Sequence, residues 1–226
     1  MNLLQITTFS VDSVDVSAES ASVSIGELIL KGGFMMIPIF ILSIMAIVIF
    51  VERYRTIKRA SKIPEGFMEK VKGLVSEGDI KGARMMCAQS ETPISRMLEK
   101  GVARIGNPLK NIEVSIENVG KIEIYNLEKN LAVLATIAGV APMMGFLGTV
   151  TGMIQAFIAI AQEEGSVSPK LLSGGIYEAM ITTAVGLFVG IIAYLGYNFL
   201  VARVQKVVHM MEYTSIDFID LLQEPR

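Results

Sequence analysis

The chain has 226 residues, 52% of them hydrophobic and 19% charged, with a formal net charge of −2. Its mean hydropathy of +0.53 is that of an integral membrane protein, and the balanced charge excludes the clustered basic surface that nucleic acid requires. One cysteine and one histidine exclude an intrachain disulfide and argue against zinc chemistry and a Ser-His-Asp triad. No Walker or G-x-G-x-x-G stretch marks a nucleotide site, so no cofactor and no metal are expected.

Residues 1–24 are Ser, Val, Asp and Glu without pattern and read as a short, mobile, mildly acidic tail. No basic region precedes an apolar core there, so no cleaved signal peptide is expected. Residues 25–51 carry the first span. Phe34 to Val51 are 18 uncharged residues, enough to cross with Lys31 snorkelling at the interface. Pro38 is predicted to kink this helix. Arg53, Arg55, Lys58, Arg59 and Lys62 follow at once. Lysine and arginine close to a span end mark the cytoplasmic side, which predicts an outer N-terminus and an inner C-terminus. The same run can also meet lipid headgroups.

Residues 52–130 read as a helical cytoplasmic insert. Two short amphipathic helices flank Glu77-Gly78-Asp79, and another starts at Thr92-Pro93 and ends near Gly106-Asn107-Pro108. From Asn111 onward apolar residues recur every three or four positions. This pattern predicts one long helix running unbroken into the second span at 131–162. A polar loop at 163–171 leads to the third span at 172–201, and the amphipathic stretch 202–226 continues that helix inward. Both later spans exceed the 18 apolar residues that mark a membrane helix, and the short loop makes them an antiparallel hairpin. The fold class is therefore all-α, with three transmembrane helices.

The hairpin is not composed like an anchor. Gly145, Gly148 and Gly152 recur at helical spacing in one span, and Gly186 and Gly190 in the other. Small residues spaced this way let helix backbones approach closely in lipid. Pro142 leaves the Ala138 carbonyl without its helical donor, which can mean a kink and nothing more. Glu178 is the one charge in the third span. It is either a snorkelling interface residue or a functional carboxylate, the default for an ionisable group inside a membrane. Thr149 lies 12 residues before Ala161, and Thr183 lies 11 residues after Leu172. An antiparallel pair therefore sets them at about one depth, as a polar ring would in a symmetric oligomer. The alternative is that each hydroxyl bonds its own helix. Thr182 is four residues after Glu178 and shares its face, whereas Thr182 and Thr183 point about 100° apart. His209 and Cys87 read as packing or surface residues.

LATIAGVAPMMGFLGTVTGMIQAF, then GIYEAMITTAVGL and Tyr197-Asn198, resemble the MotA/TolQ/ExbB proton-channel family, nearest its ExbB-like branch. Glu52-Arg53, Gly78-Asp79 and TPISRMLEKG add to the resemblance, which runs over about residues 26–205. Thr151 departs from it, since ExbB-like proteins often have Trp there and this chain has none. The resemblance implies a non-enzymatic inner-membrane subunit. Such subunits form a pentamer around the single helices of an ExbD-like partner and, with a TonB-like protein, drive outer-membrane transporters by proton flow. It maps the family's polar threonines onto Thr149 and Thr183 and its glutamate onto Glu178, and it leaves the proton-carrying aspartate to the partner. A TolQ-like role in envelope integrity and a non-conducting membrane scaffold are the alternatives.

Overall fold

The computed structural model describes residues 32–62, 64, 66–162 and 169–223. The tail, Lys31 and most of the loop between the second and third spans lie outside the described residues. Seven helices account for nearly all of the rest: α1 Met36–Ala60, α2 Phe67–Ser76, α3 Ile80–Gln89, α4 Pro93–Val102, α5 Leu109–Glu128, α6 Leu131–Gln162 and α7 Pro169–Gln223. Among the described residues three stretches are long and apolar enough to cross a membrane: Met36–Ala60, one within Leu109–Gln162 and one within Ser173–Gln223.

Gly33, at φ 65°, turns the chain into α1, and the Met36 and Ile37 amides donate to the Gly33 and Phe34 carbonyls, each at 3.2 Å. Pro38 falls in the first turn of α1, where its missing N–H breaks no helical bond. The expected kink therefore has no cause there. α1 continues through the basic run to Ala60.

The short helices of the insert begin and end where local chemistry directs. Gly78, at φ 82°, separates α2 from α3, and the Asp79 carboxylate accepts the Gly82 amide at 2.9 Å. Thr92 and Ser95 form a reciprocal capping box at the start of α4, with Pro93 in the first turn. The apolar faces of these helices meet α5 and the far half of α7. Val71, Cys87, Leu98, Ile116, Met211 and Phe218 share one buried cluster. Lys72 pairs with Asp217 at 2.6 Å, and Arg96 with the buried Glu123 at 3.0 Å. Burial pushes the Cys87 thiol up to about 11.

The second span differs from its predicted continuity. α5 stops at Glu128 and α6 starts at Leu131. Between them Asn130 sits at φ 64°, in the left-handed region that Asn tolerates better than most residues. The break leaves the last carbonyls of α5 without helical donors. Arg53, only 5% exposed, supplies one of them. Its Nη1 donates to the Asn126 carbonyl at 3.0 Å and its Nη2 to Glu52 Oε1 at 2.6 Å. That hydrogen bond and the guanidinium charge hold the Glu52 carboxyl below its ordinary value. α7 has no such break. Its 55 residues make a helix roughly 80 Å long.

Candidate functional site

α6 and α7 lie antiparallel and touch along a seam of small residues. The register sets Gly145 opposite Gly186, Gly148 opposite Thr182, Gly152 opposite Ala179, and Ala156 opposite Gly175. A Cβ on Gly186 would lie 2.7 Å from the Ala141 oxygen and 2.8 Å from the Gly145 Cα. The backbones are thus in contact, and no side chain larger than hydrogen fits. Gly190 packs on the Pro142 ring, and a Cβ there would lie 3.1 Å from the Ala138 carbonyl oxygen, the acceptor that Pro142 frees. Close approach converts small residues into dispersion contact, the main source of helix association in lipid.

The three threonines use their hydroxyls differently. Thr182 is 1% exposed and donates to its own helix, at Ala179 (2.8 Å) and Glu178 (3.1 Å) carbonyls. Thr149 donates to the Phe146 carbonyl at 2.6 Å. Thr183 does not bond its own helix. Its hydroxyl crosses the seam to the Gly145 carbonyl at 2.8 Å. By the register Thr149 is level with Thr182 and one residue, about 1.5 Å, from the level of Thr183.

The polar residues of the two spans divide between opposite flanks of the seam. Thr149 and Thr151 are separated by about 200° around α6, and Glu178 and Thr183 by about 140° around α7. Glu178 lines a cleft of about 120 Å³ together with Thr182, Thr151, Gln155, Gly148, Gly152 and the turn residues Gly32, Phe34 and Met35. Thr149 and Thr183 line no part of it. The structure therefore joins Glu178 to Thr182, leaves Thr149 and Thr183 together on the other flank, and closes the seam between. Within the second and third spans, residues 131–162 and 172–201, Glu178 is the only carboxylate. The hydroxyls can accept a hydrogen bond or offer oxygen to a cation, and Glu178 adds the one acidic group.

Sequence reasoning missed three contributors. Gly33 touches Glu178 across 145 positions, and a Cβ on Gly33 would overlap the Glu178 carboxylate Oε1. Its one legible signal was the Gly32-Gly33 pair before an apolar run. Thr151 and Gln155 were visible as polar residues in a span, but their flank depends on which face of α6 meets α7. Among the described residues no group of three or more His, Cys, Asp and Glu could hold a metal.

Residues 89–213 match the model of the MotA/TolQ/ExbB proton channel family. The chain is 27% identical over 190 residues to a putative biopolymer transport protein ExbB homolog of Methanothermobacter thermautotrophicus, covering 82% of this chain and 66% of that protein. It is 26% identical to the biopolymer transport protein exbB1 of Vibrio cholerae, covering 85% of each. It is 41% identical over 85 residues to the Tol-Pal system protein TolQ of Haemophilus influenzae, covering 38% of this chain and 37% of that one. The chain thus spans just under two thirds of the Methanothermobacter protein and little more than a third of the Haemophilus one.

Proposed function

The chain belongs to the MotA/TolQ/ExbB proton channel family, and we propose that it is an ExbB-like subunit of an inner-membrane complex. With an ExbD-like single-span partner it couples the proton-motive force to TonB-dependent transport across the outer membrane. It is a channel subunit and not an enzyme. The observation that carries this reading is the pairing of Thr149 and Thr183 at one depth on one flank of a closed small-residue seam.

In a closed ring, five copies would set ten hydroxyls around a central, otherwise apolar pore. Among the described residues of the second and third spans, no acidic or basic side chain other than Glu178 is present, and Glu178 lies on the opposite flank. The carboxylate that carries the proton past the threonines must then come from the partner helix inside the ring. Glu178 serves the outer entrance, where a carboxylate raises the local cation concentration. The basic residues after Val51 favour a periplasmic N-terminus and a cytoplasmic C-terminus.

The identity to TolQ supports a second reading, in which the same subunit serves envelope integrity. Co-expression with its single-span partner, in hosts lacking either their own ExbB or their own TolQ, separates the two. Restored transporter-dependent uptake supports the first reading, and restored detergent resistance alone supports the second. Failure of both, with the complex assembled, refutes the channel role. Native mass spectrometry of the complex reads the ring size.

A further inference from the structure

A larger groove opens between α1 and α7, at the end of the spans away from Glu178. The buried Ala46, Leu134 and Ala193 form its floor, and Phe50 and Phe199 stand in its walls. It holds about 580 Å³, and Ser43 is its only polar lining residue. Along α7 it runs from Phe188 to Phe199, eleven residues, about 16 Å. That is half of the roughly 30 Å hydrocarbon core, the depth of one leaflet.

One end of the groove carries charge and the other does not. Phe50 rests on Gly196, where a Cβ would lie 3.0 Å from its ring. The Phe50 and Tyr54 rings stack with centroids 6.2 Å apart, and Phe199 lies 6.5 and 6.3 Å from them. Lys58 Nζ sits 5.9 Å over the Tyr54 ring, and the Arg203 guanidinium 5.2 Å over the Phe199 ring. Both cations are exposed, and the ion pairs among the described residues use other side chains. An aromatic belt at a membrane interface accounts for Tyr54 alone. It does not account for two cations without a carboxylate, seated on the rings at the end of an apolar groove.

We propose that this groove binds one acyl chain of an anionic phospholipid, with the phosphate between Lys58 and Arg203. Polarity, length and charge agree on this occupant. The apolar walls take the chain, the groove is one leaflet deep, and the cations at one end meet a headgroup of net negative charge. A membrane helix fits less well. A 16 Å length of helix about 10 Å across fills roughly 1,250 Å³, about twice the groove. It can lie over the mouth but not within it. The bound lipid bridges two elements, since Lys58 belongs to α1 and Arg203 to α7. The site does not depend on the channel reading; only its assignment to the cytoplasmic leaflet rests on the orientation proposed above.

The test uses the full chain with its partner, stripped of lipid in mild detergent, and reads binding by native mass spectrometry. The probes are phosphatidylglycerol and phosphatidylcholine with the same acyl chains. Phosphatidylglycerol is expected to bind about tenfold or more tighter. Lys58→Gln with Arg203→Gln should abolish that preference. Arg55→Gln with Arg59→Gln, an equal change of charge on an exposed face of α1, should keep it. Ser43→Phe fills the mid-membrane end of the groove and should weaken both lipids about tenfold, whereas Val48→Phe, exposed and outside the groove, should weaken neither. No preference in the assembled wild-type complex, or an equal loss from the two double variants, overturns the headgroup site. Unchanged binding in assembled Ser43→Phe overturns the groove. The occupant is read separately in intact membranes, with a benzophenone amino acid in place of the exposed Leu195. A crosslink to lipid is expected, and a crosslink to the partner chain or to a second copy overturns the proposal.

Discussion

The Thr183 hydroxyl donates to the Gly145 carbonyl oxygen across the α6–α7 seam at 2.8 Å. That carbonyl belongs to a residue whose lack of a side chain admits the neighbouring backbone, with the Thr183 Cα 3.1 Å from where a Cβ would stand. One position therefore provides both the close approach and the acceptor.

Replacing Thr183 by Val keeps the shape and removes this bond. The expected loss of stability is modest, about 0.6 kcal/mol and at most about 1.7, as for interhelical side-chain bonds in membranes. Assembly survives and transport is lost. Thr183→Ser retains both. Thermal unfolding in detergent, native mass spectrometry and uptake read the three quantities, and full uptake in assembled Thr183→Val refutes the role.

Gly186→Ala is expected to destabilise by about 1–3 kcal/mol, because the added carbon meets backbone atoms of α6 that cannot swing aside. Gly139→Ala, facing open space, should lose nothing measurable. Equal melting temperatures for the two variants would contradict the packing described.

At the α5–α6 break, Asn130→Gly should be close to neutral. Asn130→Val should cost about 1–2 kcal/mol, the penalty of a left-handed conformation for a residue with a Cβ, and more for its branching. Denaturant titration of the purified protein distinguishes them.

Arg53→Lys keeps the charge but loses the fork that bonds the Asn126 carbonyl and Glu52 together. A loss of about 1.5–3 kcal/mol is expected, typical of a hydrogen bond to a charged group. Glu52→Gln should cost less, since its carboxylate is on the exposed side. The depressed Glu52 carboxyl binds its proton less tightly folded than unfolded. Its contribution is therefore present above the ordinary value of 4.5 and disappears as the pH falls below it. Arg53→Ala should show a weaker acid-side dependence, since Arg53 is the largest cause and Lys129 and Asn130 add to it.

Cys87 works in the opposite sense. Its raised thiol pKa means the folded chain holds the proton more tightly, so stability is full below the ordinary value of 9.0 and is lost as pH rises toward about 11. Cys87→Ala should lack that alkaline decline in a melting series, although it loses some packing at every pH.

The three spans were legible because each contains an uncharged run longer than chance allows in a soluble domain, and the short helices because Gly78, Thr92 and Pro93 punctuate them. The break at Lys129-Asn130 was not, because neither residue is a Gly or Pro and the apolar period continues across it. Arg53 read as one of a basic run marking a membrane face, and nothing local says that it alone turns inward to cap a helix 73 positions away. The division of the polar residues was partly legible. The 100° between Thr182 and Thr183 was plain, but which of them shares a side with Thr149 depends on the contact face of the partner helix, and Glu178 meets Gly33 only through tertiary packing.

The unequal continuity of α5–α6 and α7 has a mechanical consequence. α7 is a single strut through the whole subunit, while its antiparallel neighbour is jointed at Asn130, beside the guanidinium of Arg53. Because the two are locked together along the seam, twist applied at one end of the pair cannot be absorbed there. The far end of that strut is held in the insert by the buried Phe218. One member of the pair is thus continuous and the other jointed, and Arg53 ties α1 to the last turn before that joint.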